Sequence, residues 1–345
     1  MDTTKARKLL PSWLLDANVD TPESLQLLSW DDGFVPSGSQ GKSGKLLTGF
    51  PRSSPRIVHI ENEAVVSETA ELLYQSVSNC KSWGIYIEKH ELFIKPESEP
   101  TGTERRDLCK RAIQEFLIQN GESVITKSDW EHTHGVAVWL IASDEKDETE
   151  YHLDYAESVR YETNVIVPPL YSATLHISPL YEHAENDHEN IEGGAFYVNH
   201  RGLDHYKEYG YKTRLKSVIE DDDVEKNASL ESEWQRVAYH YRRGIICDGE
   251  LPHFSSRIQS LPSTMRRVIV GFNLFTSEIG PFVQELPEHS EAFNKHIRLS
   301  QFTVKHLTKA SMPWTIQSMR ENPKQAAFFK LLAQKMREKG CIPAA

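Results

Sequence analysis

The sequence predicts an α+β, mainly β fold: an antiparallel double-sheet jelly roll with helices packed on one sheet and a helical C-terminal tail. Three observations carry this expectation. Helix-patterned segments come first and short strand-like segments follow, an order that suits helices on one face of an antiparallel core rather than alternating βαβ units. The later segments are rich in β-branched and aromatic residues. No glycine-rich dinucleotide fingerprint, phosphate loop or internal repeat is present.

Taken in order, residues 1–53 read as an N-terminal extension, partly mobile, because the Gly/Ser-rich stretch at 37–45 has no periodicity. Residues 54–285 read as the jelly-roll domain with its supporting helices. Ile57, Val58 and Ile60 form a short strand. Ser67 then caps a helix whose apolar side carries Leu72, Leu73 and Val77. A stronger helix is capped by Thr103, carries the stripe Leu108, Cys109, Ala112, Ile113, Phe116 and Leu117, and stops at Asn120-Gly121. Strands follow at 134–143, at 160–178 with a break at Pro168-Pro169, and in "GGAFYVN", "RRGIIC" and "RRVIVGFNLF". The charged segment 219–233 reads as a solvated insertion. Residues 286–345 read as a helical extension packing on the core through Ala326, Phe329, Leu332 and Met336.

The chain has 345 residues, is 39% hydrophobic and carries a net charge of −11, so it can bury a core and is not built to attract nucleic acid through its overall field. No apolar run approaches the ~20 residues of a membrane helix, and the first residues lack the apolar core of a secretory signal. The four cysteines are scattered without a CxxC pair, which predicts free thiols and a cytoplasmic protein.

The chemistry concentrates in "EYHLDYAE", residues 150–157. In an extended chain His152 and Asp154 project to one side and offer one nitrogen and one oxygen. A metal site needs a third ligand, and for iron(II) with open positions that is a second histidine. His253 in "GELPHFSSRI" is the candidate. Beyond it Arg266 and Arg267 open a strand, where a guanidinium can grip a carboxylate through paired hydrogen bonds. Gly193 and Gly194 enter a strand between the two ligand segments and permit close backbone approach.

These segments together resemble the iron(II)- and 2-oxoglutarate-dependent oxygenases, in the branch with a prolyl-hydroxylase-like core. The likeness spans roughly residues 54–276: a strand–helix entry, His152-x-Asp154, the Gly193-Gly194 strand, distal His253, then a basic residue opening a late strand. It implies a double-stranded β-helix in which His152, Asp154 and His253 hold iron(II) and act as the catalytic centre. It implies 2-oxoglutarate bound by Arg266 or Arg267, with Thr174 and His176 as further co-substrate contacts, dioxygen as oxidant, and ascorbate as a helpful additive in vitro. Succinate and carbon dioxide leave as a substrate C–H bond is hydroxylated, desaturated or closed into a ring. Between the arginines, Arg266 is preferred, since it shares a face with Phe272 and the family often carries an aromatic six positions after the basic residue.

Around this centre, Trp139 and Tyr161 are candidates for a substrate wall, while Tyr151 and Tyr155 read as packing. Asn199, His200 and Arg201 are candidate substrate contacts. The cluster His183, Glu185, Asp187, His188 and Glu189 reads as a solvated loop over the opening, with a zinc hydrolase as its competing reading. A small-molecule substrate, amino-acid derivatives among the candidates, is favoured. A protein prolyl-type hydroxylase and a non-catalytic jelly-roll binding protein are the alternatives.

Overall fold

The computed structural model describes residues 25–30, 44–77, 80–93, 104–145, 147–163, 165–179, 191–209, 233–262 and 265–298. The 183–189 cluster, Thr103, most of the 219–233 insertion and the amphipathic face at 326–336 lie outside the described residues. Residues from Ser12 to Asn294 belong to one compact unit.

Antiparallel sheets and helices build that unit. Fifteen strands are described: β1 Gln26–Trp30, β2 Gly44–Thr48, β3 Val58–Glu61, β4 Ser82–Glu88, β5 Thr133–Ser143, β6 Thr149–His152, β7 Val165–Ile166, β8 Tyr171–His176, β9 Glu192–Gly193, β10 Phe196–Asn199, β11 Trp234–Val237, β12 Gly244–Asp248, β13 His253–Ser255, β14 Ile258–Ser260 and β15 Arg267–Thr276. The larger main sheet runs β3-β12-β8-β15-β5-β4 and the smaller β11-β10-β13-β6. All pairings within both are antiparallel. A three-stranded sheet, β1-β2-β7, adds the parallel pairing β2–β7.

Period-two alternation decides what each face does. On the smaller sheet Phe196 and Val198 turn inward and share one apolar cluster with Ile245 and Cys247 of the larger sheet. Their neighbours Tyr197 and Phe254 turn the other way, stack at 4.8 Å, and cluster with Tyr151, Leu153 and Leu46. On the larger sheet Phe272 meets Phe116 of the helical layer, with ring centroids 6.0 Å apart. The residues alternating with Phe272 on β15 therefore face the inter-sheet space.

The helical layer follows the expected apolar stripe, with one difference in winding. Arg105–Ala112 is an α-helix, and Ile113–Asn120 continues it as a π-helix. Leu108, Cys109, Ala112, Ile113, Phe116 and Leu117 are all buried. A second difference lies after Asp154. Residues 157–163 form a helix, Glu157–Thr163, where a strand was expected from residue 160. An Arg160–Glu157 pair one turn apart supports helix there, and the strand pattern resumes only at β7.

Candidate metal centre

His152 ends β6 and His253 opens β13, and the two are direct cross-strand partners. The antiparallel register thus brings together ligands about a hundred positions apart in sequence. Asp154 follows His152 just past the strand end. One ligand atom from each of the three lies within 4.8 Å of the others. His152 Nε2 is 3.5 Å from Asp154 Oδ1, and His253 Nε2 is 3.6 Å from Asp154 Oδ2. Neighbouring ligands each about 2.1 Å from one ion lie about 3 Å apart, so small side-chain rotations close the set around a cation.

Each imidazole is locked by backbone. His152 Nδ1–H donates to the Glu150 carbonyl at 2.6 Å, and His253 Nδ1–H donates to the Leu251 carbonyl at 3.0 Å. A carbonyl only accepts, so the proton sits on Nδ1 and the Nε2 lone pair is left for a metal. Burial lowers the His253 pKa to about 4, which keeps the ring neutral. Burial by itself would raise the Asp154 carboxyl, but the two histidines outweigh it and hold its pKa at about 2. Neutral imidazoles and an ionised carboxylate are the forms that ligate a divalent ion.

Asn273 completes the grip on Asp154. With its amide nitrogen turned toward acceptors, it donates to Asp154 Oδ2 at 3.1 Å and to Ser172 Oγ at 3.3 Å. The opposite setting would leave its oxygen facing only acceptors. Asn273 is fully buried on β15, beside Ser172 of β8. No sequence signal singled it out, because a lone Asn in an apolar strand carries no motif.

The two arginines point to opposite faces of β15, Arg266 on the Phe272 face as the alternation predicts. That face packs on helices through Phe272 and Phe116. Arg266 extends outward to Asp144, with Nε–Oδ1 at 2.9 Å, and to the Ala142 carbonyl. Arg267 points inward, is 1% exposed, and has no carboxylate at ion-pair distance among the described residues. Among the described residues its hydrogen bond is a long one, Nη2 to the Gly194 carbonyl at 3.4 Å, and its Nε has no partner. Gly194 has φ +65°, and a Cβ there would stand 3.1 Å from the Arg267 Nε, so the glycine makes room for the guanidinium.

Tyr239 gathers a second orphaned donor beside Arg267. The Arg267 guanidinium lies 5.7 Å from the Tyr239 ring, and His176 stacks on the same ring at 4.3 Å. Burial, reinforced by the charge of Arg267, pushes the His176 pKa well below its ordinary value. Its Nδ1 accepts from the His240 N–H at 3.3 Å, which leaves the proton on Nε2, and Nε2 has no partner. A buried guanidinium without a carboxylate partner and a buried N–H without an acceptor suit an anionic group.

A cavity of about 520 Å³ opens over the three metal-ligand candidates. Trp139, Tyr155, Thr174, Phe196 and Ile269 line it, and so do Glu288 and His289. Thr174 is thus at the cavity; Arg267 is not among its lining residues but lies on the β15 face that carries Ile269, which is. Trp139 lies where a wall was expected. Tyr151 packs in the core, while Tyr155 both packs and reaches the cavity. Glu288 and His289 were missed, since they fall in the segment read as an extension and their loop has no periodicity. The His289 ring stands 5.8 Å from that of Trp139. His200 and Arg201 do not line this cavity: His200 bonds Gln235 and Arg201 pairs with Glu208. The side chain of Tyr161 lies outside the described positions.

No family model and no curated protein matches the chain. Among solved structures it is similar to iron-bound HygX from Streptomyces hygroscopicus, at 12% identity and TM-score 0.37 over 64% of this chain and 82% of that one. It is also similar to a prolyl hydroxylase from Trichoplax adhaerens in complex with a hypoxia inducible factor peptide fragment, at 8% identity and TM-score 0.35 over 65% and 86%. A Pseudomonas putida prolyl-4-hydroxylase matches at 9% identity and TM-score 0.30 over 64% and 92%. Likenesses this distant assign no residue a role, and the reading of the site rests on its own geometry.

Proposed function

We propose that this chain is an iron(II)- and 2-oxoglutarate-dependent oxygenase acting on a small molecule, its two main sheets forming a double-stranded β-helix around the site. The observation that carries this reading is the pairing of an open His152–Asp154–His253 cluster with the buried, unpaired Arg267 guanidinium. Two neutral nitrogens and one carboxylate on a single side suit iron(II) with open positions. A five-carbon dicarboxylate with a 2-oxo acid end needs a second, cationic anchor away from the metal, and Arg267 with His176 fits that need.

Iron(II) with 2-oxoglutarate and dioxygen supplies C–H oxidation coupled to release of succinate and carbon dioxide. The chain's own residues prepare that chemistry. The Glu150 and Leu251 carbonyls fix both rings, and Asn273 holds the carboxylate, so the ligand set is preorganised. Arg267 and His176 bind the far carboxylate, with Gly194 giving them space. Trp139, Phe196 and Ile269 exclude water from the reacting face. A cavity of about 520 Å³ has the size of a small-molecule pocket. Regiochemistry and the choice among hydroxylation, desaturation and ring closure depend on how substrate is held there.

The test is succinate release from 2-oxoglutarate by the iron-loaded protein, with His152→Ala and Asp154→Ala as controls. Both substitutions are expected to abolish it while leaving the melting temperature within a few degrees, because ligands at a sheet edge bury little apolar surface. Undiminished release in either variant removes that residue from the centre. Retention of zinc rather than iron, with hydrolytic turnover in both variants, favours the hydrolase reading.

A further inference from the structure

The cavity over the metal centre has a lopsided charge. Glu148, Glu150, Asp154, Glu157 and Glu288 line it, and no lysine or arginine does among the described residues. On the oxygenase reading, a divalent ion against Asp154 and a dianionic co-substrate against Arg267 cancel one another. The glutamates add further negative charge to the lining. Glu157 has Arg160 at 3.6 Å. Glu288 has no hydrogen bond or ion pair to any described residue, although it is half-buried and faces the cavity. Burial, then the neighbouring Glu157 carboxylate, push its carboxyl well above the usual range. A carboxyl placed beside like charges with no counter-ion is costly unless a cation arrives with the ligand. Trp139, Tyr155 and Phe196 stand on the same cavity and offer aromatic rings of the kind that attract cations.

We infer that the substrate of this site carries a positively charged nitrogen group, an alkylammonium or a guanidinium, received by Glu288 with the ring of Trp139 beside it. The inference rests on the oxygenase reading for the position of the reacting carbon, which lies within one small cavity of that charge. Glu148 and Glu150 stand at the same opening and raise the local concentration of cations while repelling acids. The charged group comes from a free amine or from a basic side chain of a peptide, and the same chemistry recognises both.

The test measures binding without turnover. Manganese(II)-loaded protein is first titrated calorimetrically with 2-oxoglutarate, and failure there counts against the oxygenase reading alone. The binary complex is then titrated with two matched pairs: 1,5-diaminopentane and its N-acetylated form, and Nα-acetyl-lysine amide and its Nε-acetylated form. At least one cation is expected to bind about tenfold or more tightly than its neutral partner, and the pair that shows the preference identifies the source. Glu288→Gln and, separately, Glu150→Gln are expected to narrow that ratio several-fold, so the outcome does not hang on one variant folding. Equal binding within both pairs, preference for the acetylated members, or no binding by any cation overturns the inference.

Discussion

Arg52 and Arg267 both hold their guanidinium groups largely out of solvent and are treated in opposite ways. The Arg52 side chain is 6% exposed and its guanidinium is fully engaged, with Asp248, with Glu250 at 2.9 Å and with the Leu170 carbonyl at 3.2 Å. Arg267 is 1% exposed and meets no carboxylate at ion-pair distance among the described residues. Burying a guanidinium costs several kcal/mol, and the fold offsets that cost with carboxylates at Arg52 and not at Arg267. Burial alone therefore does not mark function. On the proposed function, the carboxylate that Arg267 lacks within the fold is supplied by the co-substrate.

The strongest test of this contrast is a double dissociation. Arg267→Met is expected to weaken 2-oxoglutarate binding by about 2–5 kcal/mol, roughly 30-fold or more, while leaving the apoprotein as stable or more stable. Arg52→Ala is expected to do the reverse, costing about 3–5 kcal/mol of stability because it strands Asp248, with co-substrate affinity retained in whatever fraction folds. Titration calorimetry and urea unfolding read both. Loss of stability without loss of affinity at Arg267 would break the comparison.

Asn273 extends the contrast to a neutral group. Asn273→Leu keeps the volume but leaves Asp154 one donor short, and a metal affinity lower by about 10–100-fold is expected from competition with a chelator. Unchanged affinity would make Asn273 a packing residue only.

Buried histidines supply a third case, in which the partner lies within the fold. His205 is 2% exposed, its Nδ1 lies 2.7 Å from the Tyr151 hydroxyl, and burial lowers its pKa to about 4. Its unfolded value is about 6.5. The contribution is thus complete above that pH and is lost as pH falls toward the folded value, since the unfolded chain takes up the proton first. Urea midpoints of the apoprotein should fall across that interval, with a slope of up to about 1.4 kcal/mol per pH unit from this one group. His205→Gln should flatten the slope. An identical profile in the variant would assign the acid sensitivity to other groups.

The smallest effect is expected one residue from the largest. Arg266→Ala removes a pair with the exposed Asp144 and should cost less than about 1 kcal/mol, with no change in 2-oxoglutarate affinity. A co-substrate defect in this variant would mean that the β15 face assignment is inverted.

Much of this was legible in the residues themselves. The β-branched runs at β5, β8, β12 and β15 marked strands, and the stripe from Leu108 to Leu117 marked a helix, because local periodicity records which side of an element is buried. His152-x-Asp154 with a distal His253 marked a metal set, because few other patterns place those donor types in reach of one ion. Legibility ended where a decision needed two elements at once. Alternation along β15 showed that Arg266 and Arg267 face opposite ways, but not which way is the cavity; the packing of Phe272 on Phe116 settled that. Glu288 and His289 reach the site from a loop with no pattern of its own, and Asn273 acquires meaning only beside Asp154 and Ser172. The sequence by itself determined the elements and the kinds of ligand, since those follow from short-range periodicity and donor chemistry. Only the tertiary structure decided which arginine is left without a carboxylate among the described residues and which carboxylates surround the metal-ligand candidates, since long-range packing sets who is buried beside whom.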